Sequence, residues 1–199
     1  MSTSGPGTFD PRGVIRLDLR LGQLRLDSSH ARVMVPAQAL MALCSVAGEE
    51  QVVGLGHAIG ESMGARIKER FASSAERAGS TDAVREAPFA VVVEHLAGEL
   101  ALGGLGALVA ERWGKVVTLV VDHCPVAHEP IGDVLLCGVL SAALRTSCGR
   151  GASVVPLTRE GSRTRFVVLG DEAVDGVLAA LDAGVGWGDL LVRMKEASA

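Results

Sequence analysis

Three glycines at four-residue spacing, Gly56, Gly60 and Gly64, constrain this chain more than any other feature. They stand in the string Gly54-Leu-Gly-His-Ala-Ile-Gly-Glu-Ser-Met-Gly64, which has two readings. As a loop it cradles a nucleotide phosphate. As a helix it puts the three glycines on one side as a smooth packing face. A phosphate-binding turn needs a strand before it and an acidic residue about 20 positions later for the ribose. Gln51-Val52-Val53 is too short for that strand, and the residues before it, Pro36 to Val46, look helical. The polar stretch from Ser73 to Glu86 carries no second strand, and no Gly-Lys-Ser/Thr occurs anywhere. The helix reading therefore prevails. An interior glycine costs a helix roughly 1 kcal/mol, so three of them imply a neighbour pressed against that face.

The chain has 199 residues, enough for one domain with a sizeable core. Apolar residues are 48% of it, which excludes a disordered chain. A net charge of -4, with 19 Lys and Arg scattered along the sequence, argues against a nucleic-acid partner. No apolar run reaches the roughly 18 to 20 residues of a membrane span. Met1 to Gly13 lacks the basic-then-apolar order of a signal peptide and reads as a flexible tail. Without an export signal, the four cysteines are expected as reduced thiols in a cytoplasm. Aromatic residues are only 3%, so stacking dominates no site here.

Ile15, Leu17, Leu19 and Leu21 alternate with polar residues, the pattern of a half-buried strand, with a turn at Gly22-Gln23 and the alternation resuming at Leu24 and Leu26. Arg32 to Val35 is a short extended run, and Pro36 opens a helix. After the glycine helix, Ser73 to Arg85 reads as a loop. Pro88 opens a second helix with Phe89, Val92, Val93, Leu96 and Leu100 on one stripe. Ala107 to Trp113 and Val116 to His123 read as a hairpin about Gly114-Lys115. A helix from about Gly132 to Ser147 is apolar nearly all round and belongs inside. Ala152 to Thr158 and Thr164 to Leu169 form a second hairpin around Glu160-Gly161. Asp171 caps a helix through Val174, Val177, Leu178 and Leu181 that stops at Gly184, and Trp187 to Met194 is a last short helix. This order gives an α+β domain, an antiparallel sheet with helices packed on one face. It divides into a tail over 1–13, a domain over 14–170 and a helical extension over 171–199.

The densest polar run is Asp122 to Glu129, containing His123, Cys124 and His128, with Cys137 further on. Zinc needs four converging donors, and this spacing matches no standard Cys or His pair. The run reads better as a strand end and polar loop, with Cys137 packed as a small hydrophobe. Arg150 beside Cys148 favours a thiolate, whereas a helix C-terminus opposes one, so a structural thiol is expected. Cys44 belongs to an apolar helix and to the core. No Gly-x-Ser-x-Gly elbow occurs, His57 stands alone, and no nucleophile, base and orienting group assemble. No catalytic residue, metal or cofactor is assigned.

Two stretches carry a resemblance. Gly56-His-Ala-Ile-Gly60 through Arg66-Ile-Lys-Glu-Arg-Phe71 resembles the glycine helix of the transport protein particle (TRAPP) small-subunit superfamily. Val134-Leu-Leu-Cys-Gly-Val-Leu140, then Ser141-Ala-Ala-Leu144 and the Val154 to Val168 hairpin, resemble its buried helix and terminal strands. The bacterial and archaeal branch is the 4-vinyl-reductase-type, hydrocarbon-binding domain. The match runs in order from about Arg32 to Leu169 and rests on packing signatures. It implies an α+β domain that dimerises through helices and encloses an apolar pocket. The zinc site of the phenol-sensing branch, Cys-Glu-Cys-Cys, is not reproduced: Cys137 matches the first ligand, but Val154, Leu157 and Arg165 fall near the others. Nor does any Cys lie between Phe71 and Pro88, where the vesicle-tethering branch carries an acylated one. The candidate pocket residues are Phe89, Val92, Leu96, Cys137, Leu140 and Leu144, which otherwise fill a core. Gly56, Gly60 and Gly64 are the candidate helix-packing or dimer face. The expected protein is a non-enzymatic, cytoplasmic homodimer binding a small hydrophobic ligand. The alternative is a TRAPP-like assembly subunit acting through a protein partner.

Overall fold

In the computed structural model, residues 14–21, 23–26, 30–78, 87–127, 129–149 and 151–197 are described. The expected tail, Met1 to Gly13, lies outside them, as do residues 79–86, His128 and Arg150.

Three short strands come first: β1 (Ile15–Asp18), β2 (Gln23–Leu26) and β3 (His30–Arg32). They pair antiparallel in the order β1-β2-β3, with Ile15 opposite Leu26. Here alternation identifies a strand whose burial is uneven: Leu26 is buried, while its partner Ile15 is not. Ile15 is 47% exposed, and Leu19, at 83%, has already left the strand. The Asp18 carboxylate accepts the backbone N–H groups of Arg20 and Leu21, both at 3.0 Å, and ends β1 four residues in. The extended run expected over Arg32 to Val35 pairs only as far as Arg32.

Helix α1 (Ala37–Ala47) follows Pro36 and is separated from α2 (Glu49–Ala78) by Gly48, whose φ of 81° an L side chain rarely adopts. The glycine string is helical throughout. So is the first part of the expected loop: α2 continues to Ala78. Ala72, Ala75, Glu76 and Ala78 are strong helix formers, and the Ser73 hydroxyl bonds back to the Glu69 carbonyl rather than breaking the turn.

Next come α3 (Phe89–Leu102), β4 (Ala107–Trp113), β5 (Val116–Asp122), α4 (Pro130–Cys148), β6 (Ser153–Glu160) and β7 (Arg163–Leu169). The four strands form an antiparallel sheet in the order β4-β5-β7-β6. Strand β6 stands at one border, where Pro156 precedes a register shift that leaves Leu157 unpaired. By length and composition α4 could cross a membrane, but it packs against α2 and the sheet as the core helix.

Alternation along β5 and β7 sorts their side chains to two faces. Val117, Leu119, Val121, Phe166 and Val168 pack inward beneath α2, α3 and α4. Val116, Val167 and Leu169 point outward and are also buried. The cover is the C-terminal extension: a 3-10 turn (Asp171–Ala173), α5 (Val174–Asp182) and α6 (Trp187–Ala197), bringing Val177, Leu190 and Leu191. The longer helices thus share one face as expected, and the extension docks on the other face of its own chain. Asp171 is not the expected cap. Its carboxylate accepts from Ser153 (2.6 Å) and Arg145 (3.2 Å), tying the extension to β6 and α4.

Candidate ligand-binding site

The glycine face is used inside the fold. A Cβ at Gly56 would lie 2.6 Å from the Leu135 carbonyl oxygen, and one at Gly64 2.7 Å from that of Ala143. One at Gly60 would collide with the Val139 carbonyl oxygen. Gly138 on α4 reciprocates, since its Cβ would meet the Val53 carbonyl oxygen at 2.9 Å. Two backbones therefore run nearly in contact, and α4 of the same chain occupies the face formed by these glycines.

Of the six candidate pocket residues, Leu96, Leu140 and Leu144 sit in the main core cluster, with Phe89 and Cys137 packed against it. Val92 is buried on α3, outside that cluster. Leu96 on α3 and Leu140 and Leu144 on α4 thus belong to one packed core, in which Val92 takes no part. Burial, reinforced by the nearby Asp133 carboxylate, pushes the Cys137 thiol up to about 12, so it is a packed, protonated thiol. Asp133 is itself pushed above the usual carboxylate range by burial, against the opposing bond from Arg159. It also accepts from Thr164 at 3.3 Å.

The polar run after β5 does not converge on a metal. His123 adopts a φ of 54° and is exposed. Asp122 accepts from Ser162 (2.7 Å), the His123 backbone (2.8 Å) and Arg163 (3.2 Å), and the Ser162 bond first of all holds it below the usual range. Cys124 turns the other way into the core, where burial raises its thiol. Among the described residues no group of three or more His, Cys, Asp or Glu could hold a metal. The zinc-position residues have other employment: Val154 is core, and Arg165 pairs with Glu111 and lies 4.4 Å over the Trp187 ring. His57 is half-buried on α2, Cys44 is buried, and Cys148 lies 3.7 Å from the Ser147 hydroxyl.

Two constellations escaped the sequence reading. The first is an ion cluster between α2 and α3. Arg66 Nε donates to Glu99 Oε2 at 2.9 Å, its Nη2 donates to the same oxygen, and Arg70 Nη2 meets Oε1 at 2.5 Å. The Glu99 side chain is 0% exposed and that of Arg66 4%. His95, one turn before Glu99, stacks on Phe71 at 4.9 Å, and burial, then the Arg70 charge, lowers its pKa. The signal was available: Glu99 interrupts the apolar stripe of α3, and Arg66 and Arg70 are one helical turn apart.

The second is a groove of about 340 Å³ between α1 and the segment leading into α4. Gln38, Met41, Ala42 and Ser45 form one wall, and Pro125, Val126 and Glu129 the other. The four α1 residues follow the i, i+3, i+4, i+7 spacing of one helix face, a stripe too mixed in polarity to stand out.

No family model and no curated protein matches the sequence. Among solved structures, the chain is similar to a trafficking protein particle complex subunit 3 from Naegleria fowleri covalently bound to palmitic acid. That likeness has a TM-score of 0.41 and 18% identity, over 66% of this chain and 87% of that one. It is also similar to the phenol-responsive sensory domain of the transcription activator PoxR, crystallised with phenol. There the TM-score is 0.57 and the identity 16%, over 83% of this chain and 90% of that chain. At that identity the likeness speaks for architecture, and the chain has the 4-vinyl-reductase-like α+β fold of that sensory domain.

Proposed function

We propose that this chain is a non-enzymatic, homodimeric domain of the cytoplasm that binds a small hydrophobic ligand, as a sensor or carrier. The observation that carries the reading is the fold shared, over most of both chains, with a domain whose structure contains phenol. The aliphatic layer around Leu96, Leu140 and Leu144 supports it, because an apolar interior beneath separate helices is where such a molecule is sheltered. The thiols of Cys124 and Cys137 are held protonated, which suits packing rather than nucleophilic attack. Native mass spectrometry of the purified protein, with extraction of bound small molecules, is the test. A protein that stays empty, and takes up none of a panel of small apolar molecules, would sink the reading. Light scattering at micromolar concentration is expected to return a dimer, and a monomer would remove that part.

A second reading, an assembly subunit, is favoured by the exposed apolar side chains of Val33, Met34, Val35, Leu43 and Val46. Isolated exposed apolar residues are ordinary, whereas a concentration in one stretch marks a contact surface. Affinity capture that returns no specific partner counts against this reading.

A further inference from the structure

We infer that the groove between α1 and the segment before α4 is a binding site for an amphipathic amine, an apolar body carrying a cationic head. The inference goes beyond the ligand-binding reading: it names a second place, apart from the layer around Leu96, Leu140 and Leu144, and a chemical class.

The volume, about 340 Å³, falls at the lower end of the range for ligand pockets, roughly 300–1,000 Å³. The floor is apolar: Met41 and Ala42 on α1 face Pro125 and Val126 across the groove. Methionine is flexible and polarizable, so Met41 can follow the outline of a small apolar body. The polar side chains are Gln38, Ser45 and Glu129, of which only Glu129 carries a charge. The Ser45 hydroxyl donates to the Met41 carbonyl at 2.9 Å and lies 3.5 Å from Glu129 Oε2, so its oxygen remains free to accept. Glu129 brings a carboxylate, and the Arg159 guanidinium beside it bonds the Glu129 backbone carbonyl at 3.0 Å and the Asp133 carboxylate instead. Among the described residues no Lys, Arg or His lines the groove. It therefore presents an uncompensated negative charge and a second acceptor above an apolar floor. An ammonium head satisfies both with charge-assisted bonds. A fatty acid or other carboxylate would meet like charge.

The test uses phenethylamine, with phenylacetate as the anion of matched body, followed through the backbone amide resonances of the full chain. Phenethylamine is expected to shift the amides of Gln38, Met41, Ala42, Ser45, Val126 and Glu129, and phenylacetate to leave them unmoved. Glu129→Gln should weaken phenethylamine binding about fivefold, the scale of one exposed ion pair. Ala42→Leu fills the groove while keeping a strong helix former on an exposed face, and should abolish binding with the remaining spectrum intact. Equal binding of phenylacetate, shifts confined to another region, or binding that survives Ala42→Leu would each overturn the inference. A small molecule found by mass spectrometry that stays bound in Ala42→Leu, in a protein that never binds phenethylamine, keeps the proposed function and defeats this site alone. A protein that takes up neither that molecule nor phenethylamine defeats both.

Discussion

The two faces of the four-stranded sheet are buried by different means. On the inner face, α2 and α4 approach until a single methyl group would clash at Gly56, Gly60 or Gly64, and a buried carboxylate joins α2 to α3. On the outer face, two short helices lie over Val116, Val167 and Leu169, held at the margin by Trp187 against Trp113 and Arg165. The inner contact is set by backbones and tolerates little. The outer one is set by side-chain coverage, which repacks more readily.

The contrast can be broken most forcefully at Glu99. Glu99→Ala strands two arginines in the inner layer and is expected to cost about 3–5 kcal/mol, measured by urea unfolding. The paired change Arg66→Met with Glu99→Leu should recover much of that loss.

Alanine substitutions along α2 test the backbone contact within one helix. Gly60→Ala should lose about 2 kcal/mol through overpacking against Val139. Gly54→Ala, where nothing lies within 4 Å of the added methyl, should gain about 0.5–1 kcal/mol from helix propensity. Opposite signs support a steric origin, and equal losses would contradict it.

On the outer face, Trp187→Ala removes an edge-on ring contact at 6.5 Å and the stacked guanidinium, for about 1–2 kcal/mol. Hydrogen exchange should speed up in α5 and α6 while α2 and α4 stay protected. Acceleration in all four helices would show that the layers unfold together.

The smallest effects are local to single groups. The pKa of His95 is lowered below its ordinary 6.5, so the folded chain binds fewer protons there than the unfolded chain. That contribution is complete above about pH 6.5 and is lost as pH falls through the folded value, and His95→Asn should flatten this part of the stability profile. With its thiol near 12, Cys137 should resist alkylation at pH 8 in the folded chain and react after unfolding.

Much of the architecture was legible where a period-2 or period-3.6 pattern coincided with real burial. The hairpins β4–β5 and β6–β7, the all-round apolar α4 and the close-packed glycine face all follow from that coincidence. The same patterns failed where burial depended on remote partners. Glu99 stands out against the apolar stripe of α3, but which cations meet it, Arg66 and Arg70 some thirty positions earlier, is decided by how α2 packs on α3. Nothing near Ile15 shows that its side chain stays half exposed while Leu26 opposite is buried. Of the candidate site, the apolar stripes on α3 and α4 mark buried residues, but periodicity cannot distinguish a lining from a filling. The groove joins Gln38, Met41, Ala42 and Ser45 to Pro125, Val126 and Glu129, a juxtaposition that only the tertiary fold creates.

The two borders of the sheet are unlike. Strand β6 ends it with a proline, which has no N–H to offer, and a bulge that bends the ladder. Strand β4 ends it with seven residues, and among the described residues no strand pairs on its outer side. A fibre grown strand by strand needs two usable borders on every copy. The β4 border is thus the better template for an added strand and the β6 border the poorer one.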